Sequence, residues 1–183
     1  MSTLKLRAVG GTAKQRQECR DLVRFALPYL MKQNKIDQVS IRVVIVKDLV
    51  VNEGSYGVCY PMDIDGPGTP KRFSIHVDGS LLKRHLLTTL AHELVHCKQW
   101  VMGELGAKKS KTKTDDYDYT WLSKPVDDNM NYWLHPWEIE AAGWERNLVE
   151  LWIEHNGWSK QAWTREEYFH GEKYWKKQKE VTT

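Results

Sequence analysis

LLKRHLLTTLAHELVHCKQWVM, residues 81–102, is the stretch on which the fold turns. Its apolar positions recur at helical spacing, and Leu87, Leu90, Leu94 and Val101 fall on one side of a helical wheel. His92 and His96 fall on the other side, together with Thr89 and Gln99. The spacing predicts one long helix, with Ser80 at the N-cap position and Gly103 and Gly106 beyond its end. Cys97 falls toward the core side of this wheel and reads as a small buried hydrophobe.

Within that helix stands His92-Glu93-Leu94-Val95-His96, an H-E-x-x-H pattern. Two imidazoles four residues apart project from one face and can reach a single Zn²⁺. Glu93 lies about 100° round the helix from His92, so it can reach a zinc-activated water without being a ligand. The expected roles are therefore His92 and His96 as ligands and Glu93 as general base.

A catalytic zinc takes a third protein ligand. The metzincin extension H-E-x-x-H-x-x-G-x-x-H is absent, because Gln99 stands in place of its glycine and Met102 in place of its histidine. The best remaining source is the segment HPWEIEAAGWERNL, residues 135–148, where Pro136 opens a helix expected over residues 136–155. Glu138 and Glu140 are about 200° apart on it and cannot both face one ion. Glu138 sits near the third helical position, where a carboxylate commonly caps a helix. Glu140 aligns with Trp144 and Leu151, taken as the buried stripe, where a carboxylate needs a cation. Glu140 is thus the expected third ligand and Glu138 the alternative; His135 reads first as a capping or loop residue.

Outward from these helices, residues 13–33 read as an amphipathic helix interrupted at Pro28, and residues 39–47 (VSIRVVIVK) as a buried strand. GSYGVCY, residues 54–60, suits a short strand, PMDIDGPGTP a turn-rich loop, and RFSIHVD, residues 72–78, a third strand. Residues 107–134 are polar and studded with aromatics and read as an insertion or loop. Residues 157–183 read as a helical extension with periodic Trp163, Tyr168 and Trp175 and a Lys-rich end. There is no internal repeat. One domain of 183 residues, with its core over about residues 13–155, is the expected organisation.

Composition narrows the function classes. Hydrophobic residues are 41% and charged residues 28%, enough for a core and against disorder. No stretch reaches the roughly 20 apolar residues of a membrane span, and the first residues lack the apolar segment of a secretory signal. Three cysteines without a C-x-x-C argue against a disulfide framework or a cysteine zinc site. A reducing, cytoplasmic setting is therefore expected. A net charge of +3 is far from that of a strongly basic polymer-binding protein. The basic run Lys108-Lys109-Ser110-Lys111-Thr112-Lys113 is followed at once by Asp115-Asp116-Tyr117-Asp118, which cancels most of its charge. Nine tryptophans and eight tyrosines against three phenylalanines form an unusual aromatic surplus. Its concentration around residues 100–144 places part of it behind the histidine pair and part over a cleft.

LLTTLAHELVHCKQWVMGEL followed by HPWEIEA resembles the zincin-type metallopeptidases of the gluzincin-like arrangement, H-E-x-x-H plus a glutamate. It is most similar to small bacterial and bacteriophage-encoded members with an "HELVH-x-x-Q" helix and a "P-x-E-x-E-A" segment. The resemblance implies an α+β fold with a minimal zincin-like core: a small mixed sheet packed on the H-E-x-x-H helix and a second, glutamate-bearing helix. It implies one Zn²⁺ on His92, His96 and Glu140, Glu93 as general base, and a peptide or protein substrate. Trp144 stands four residues beyond Glu140, where the best-known gluzincins carry an aspartate that orients a histidine.

Hydrolysis also needs a donor to the developing oxyanion, for which Tyr132 and His135 are the candidates. RFSIHVD, before the long helix, is the strand expected to pair with an extended peptide, and its His76 reads as a sheet-face residue. Two alternatives remain. One is a non-catalytic binding protein on the same fold; the other is an SprT-like protease acting on DNA-associated proteins, a group that uses a third histidine.

Overall fold

In the computed structural model, described over residues 3–110, 117–127 and 129–166, the β-branched run of the sequence forms the inner strand of a four-stranded sheet. The strands are β1 (Lys5–Gly10), β2 (Ser40–Val46), β3 (Gly57–Pro61) and β4 (Arg72–Asp78), in the order β1-β2-β4-β3. The first three in that order are parallel; β3 runs antiparallel along β4 and forms one edge. Because side chains alternate along each strand, Ile41, Val43 and Ile45 of β2 and Phe73, Ile75 and Val77 of β4 all point to one buried face.

Helices α1 (Ala13–Leu30) and α4 (Lys83–Met102) cover that face. Thr12 and Gln15 start α1 with a reciprocal capping box, the Thr12 hydroxyl accepting from the Gln15 amide and the Gln15 side chain from the Thr12 amide. Pro28 lies in the last turn, and α1 runs through it to Leu30 before the short α2 (Gln33–Ile36). Fifteen of the twenty α4 residues are buried, because α1 and the sheet pack on one side of it and α5 (Pro136–His155) on the other. The expected cap of α4 is corrected: Leu82 holds the N-cap position, and the Ser80 hydroxyl instead donates to buried Asp78. Helix α3 (Leu49–Glu53) follows β2 and rests near β4.

The segment expected as a loop contains a second sheet, β5 (Leu105–Lys109), β6 (Tyr117–Trp121) and β7 (Lys124–Pro125), all antiparallel. Its β6–β7 turn puts both Leu122 and Ser123 at positive φ, the geometry of a primed hairpin turn, without the Asn-Gly or Asp-Gly that announces one. The β6 aromatics hold the hairpin to the body: Tyr119 and Trp121 lie 6.0 and 6.5 Å from the ring of Trp137 on α5. Lys108 pairs across the strands with Asp118, so this end of the basic run is matched within the sheet. Residues 111–116, with the rest of that run, and Tyr168, Trp175 and the Lys-rich end lie outside the described residues.

The chain is thus mixed α+β, with a small sheet and five helices. Among the described residues no helix is long and apolar enough to cross a membrane.

Candidate metal centre and cleft

His92 and His96 lie one turn apart on α4, and their Nε2 atoms approach to 3.1 Å with the rings nearly perpendicular. The third group comes from the first turn of α5. Glu138 Oε2 is 3.1 Å from His92 Nε2, and Glu138 Oε1 is 3.5 Å from His96 Nε2. One ligand atom from each of the three lies within 4.8 Å of the others, so His92, His96 and Glu138 form a group that could hold a metal ion. Glu138 is 5% exposed and His96 9%, so the donors are largely withdrawn from solvent.

Glu140, expected as the third ligand, is corrected by this geometry. Its carboxylate accepts from Lys98 Nζ at 2.6 Å and from Gln99 Nε2 at 2.9 Å, away from the histidine pair. The buried stripe of α5 is a different one: Trp144 and Leu151 are each 38% exposed, and the buried residues are Glu138, Ala141, Leu148, Val149, Trp152 and Ile153. Glu138 does not cap its helix either. His135 is the N-cap residue of α5, with no side-chain cap bond.

The other nitrogen of each ring is also held. His92 Nδ1 donates to Glu145 Oε2 at 2.8 Å, and His96 Nδ1 donates to Gln99 Oε1 at 2.8 Å. The Gln99 amide has one orientation open to it, because its Nε2 already donates to the Trp137 carbonyl and to Glu140. Nδ1 is therefore the outward-facing donor on both rings, which leaves each Nε2 turned toward the other ring and Glu138. The Glu138 carboxylate and the His96 Nε2 each lie 3.1 Å from His92 Nε2, so a positive charge at that point, a proton on His92 or a metal ion in its place, is what holds the three groups together. Imidazole nitrogen and carboxylate oxygen with oriented outer partners make a donor set that could hold a metal ion.

Neither outer partner was read from the sequence in that role. Glu145 lies seven residues after Glu138, on the same face of α5, and that spacing is its signal. Gln99 had been placed on the histidine side of α4, three residues after His96. Lys98 continues the network by donating to Glu104 at 2.7 Å as well as to Glu140.

Without a metal, the electrostatics show how tightly the charges are matched. Burial pushes the His92 imidazole down, but hydrogen bonds to Glu138 and Glu145 outweigh it and lift it to about 10. Burial and the charge on His92 keep His96 low, hence neutral. Burial pushes Glu138 up, yet its bonds to the histidines and the Tyr132 hydroxyl hold it below the usual carboxylate range. Among the described residues no side chain hydrogen-bonds Glu93, and burial, with the Glu138 and Glu145 charges, outweighs the pull of His92 and raises its carboxyl to about 8.

Beside the donors lies a cleft of about 490 Å³. Glu93, His96 and Glu138 form part of its wall, the edge strand β3 another, and Trp100, Tyr117, Tyr119, Tyr132 and Trp137 much of the rest. Gly57 packs so closely on α4 that a Cβ there would meet Thr89 Cγ2 at 2.5 Å and Glu93 Oε1 at 3.0 Å. Tyr132, in a single 3-10 turn before α5, reaches Glu138 with its hydroxyl; partial burial and the Glu138 and Glu93 carboxylates push that phenol up, so it stays a proton donor. His135 stands behind it, stacked on Trp137 at 4.4 Å, with Nδ1 buried and unpartnered, and is not among the cleft-lining side chains.

Of the aromatic surplus, Trp100, Tyr117, Tyr119, Tyr132 and Trp137 line the cleft, Trp133 is exposed, and Trp152, Trp158 and Trp163 cluster at the far end of α5. The strand expected to pair with substrate is corrected: β4 is flanked on both sides by β2 and β3, so of the two edge strands, β1 and β3, the one at the cleft is β3. His76 is a sheet-face residue, 3.1 Å from Ser74 Oγ. Cys97 is fully buried and its thiol lies 3.3 Å from that of Cys59, both cysteines being free. Comparison with protein-family models, curated proteins and solved structures finds no match for this chain.

Proposed function

We propose that the chain is a zinc-dependent metallopeptidase of the zincin type, with His92, His96 and Glu138 as the zinc ligands and Glu93 as the general base. The observation that carries the reading is the convergence of those three donors, each held by an outer partner, with a buried and unpaired carboxylate beside them. A purely structural metal site has no use for Glu93, whose burial costs stability. The mixed sheet with an antiparallel edge strand beside an H-E-x-x-H helix agrees with a minimal zincin-like core.

Zinc in this donor set supplies Lewis acidity, which acidifies water and polarises a carbonyl. Glu93 then takes a proton from the attacking water and passes it to the leaving amine. Glu145 and Gln99 keep the two imidazoles in their ligating tautomer and orientation. Tyr132, already hydrogen-bonded at Glu138, donates to the oxygen on which negative charge develops. An extended peptide pairs with the β3 edge, and the aromatic walls exclude water around the scissile bond.

The test is metal content together with cleavage of an unfolded protein substrate by wild type and Glu93→Gln. Stoichiometric zinc in both, with chelator-sensitive cleavage in wild type alone, is the expected result. Absence of zinc from both removes the metal claim. Zinc without cleavage of any peptide or protein removes the peptidase claim and leaves the site.

A further inference from the structure

We propose that the uncovered face of the four-stranded sheet is a docking surface for single-stranded nucleic acid. Parallel strands are ordinarily covered on both faces, yet among the described residues α1 and α4 pack on one face only. The register sets the composition of the other face. One row across it reads Arg7, Arg42, Ser74, Tyr60, and the neighbouring row reads Lys5, Ser40, Arg72.

Arg7 and Arg42 are directly opposite on adjacent strands, about 4.8 Å apart in backbone spacing, and both are exposed. Like charges in that position destabilise a sheet unless an anion lies over them. No ion pair or side-chain hydrogen bond joins either guanidinium to another described residue. Two acids meet the β3–β4 half of this face, where Asp63 pairs with Arg72 at 3.6 Å and Glu53 bonds the Tyr60 hydroxyl, leaving its ring faces open. The β1–β2 half of the face therefore carries Lys5, Arg7 and Arg42 with no facing carboxylate.

The other half offers rings. Tyr60 is 41% exposed and meets His76 edge-on at 5.1 Å, a platform on which a base can stack. A broad sheet face cannot enter a duplex groove, which admits a helix or a two-stranded ribbon, whereas a single strand can lie across it with phosphates on the arginines and a base on Tyr60. Tyr60 also lines the cleft beside the metal centre, but binding is measured without hydrolysis and so does not rest on the peptidase reading.

The test is fluorescence anisotropy of a labelled oligothymidylate of about 20 nucleotides with the full chain at low salt. Three neutralised phosphates predict a log–log salt slope of about −2. R7S/R42S should weaken binding at least about tenfold and bring the slope to about −0.7, with an unchanged unfolding midpoint. If that pair fails to fold, K5S/R7S carries the same expectation. Tyr60→Leu should weaken binding while leaving the slope unchanged. No binding at low salt overturns the proposal, as does binding that survives both double variants, which would put the contact elsewhere on the chain. Equal retention of R7S/R42S-sensitive binding on anionic lipid vesicles overturns it too.

Discussion

Glu138 and Glu140 stand two residues apart, and exchanging their roles would change the whole reading of the site, so they make the sharpest test. Glu138 lies 3.1 and 3.5 Å from the two inward Nε2 atoms, whereas Glu140 reaches the centre only through Gln99 and His96. Loss of an outer hydrogen-bond partner of a ligand typically costs 10–100-fold in metal affinity, about 1.4–2.7 kcal/mol. Glu145→Ala, which frees His92 Nδ1, is expected in that range. Glu140→Ala acts one bond further out, and Gln99 keeps the Trp137 carbonyl, so a loss below about tenfold is expected. Glu138→Ala removes a ligand outright and should exceed about 100-fold. Zinc affinities from competition with a chromophoric chelator, on variants with matching circular dichroism, give the order. An Glu140→Ala protein that loses zinc beside an Glu138→Ala protein that retains it would refute the reasoning.

Gln99→Leu leaves the buried His96 Nδ1–H without its acceptor and removes the Gln99 bonds to the Trp137 carbonyl and to Glu140, which keeps Lys98; about 2–4 kcal/mol of stability should be lost, seen as a fall of roughly 5–15 °C in the unfolding midpoint. In the metal-free protein Glu93 holds a proton up to about pH 8 that the unfolded chain releases near its ordinary value of 4.5. Stability is therefore fully present below that ordinary value and falls as pH rises toward 8, by at most about 5 kcal/mol. Glu93→Gln should flatten this part of a denaturant-derived stability profile, and parallel profiles for the two proteins would contradict the assignment. Gly57→Ala should displace Glu93 and cut turnover at least about tenfold with zinc content unchanged, because its methyl group would meet Thr89 and the Glu93 carboxylate.

The elements with strong local signals are where the residues indicated them. The apolar period of α4, the alternation of β4 and the proline that opens α5 are properties of short segments, and the matching elements run Lys83–Met102, Arg72–Asp78 and Pro136–His155. The missed elements lack such signals. β1 (KLRAVG) is short and charged, and the β6–β7 turn uses Leu122 and Ser123 where a glycine or asparagine would have marked it. That turn holds because Trp121 and Tyr119 pack against Trp137, a contact between segments.

The candidate site divides in the same way. A fixed helical geometry puts His92 and His96 on one face at four-residue spacing, so the sequence by itself determined two of the three donors and the position of Glu93 next to them. Which carboxylate completes the set depends on how α5 is rotated about its axis against α4. Large apolar side chains such as Trp144, Leu151 and Ile139 mark a stripe that remains partly in solvent. The stripe that meets α4 instead carries Glu138 and Glu145 among small and aliphatic residues, and both carboxylates are tolerated because each meets an imidazole. Local periodicity gives a helix its faces, but the neighbour that each face meets is settled only when the helices pack; the tertiary structure alone therefore decided on Glu138, Glu145 and the β3 edge.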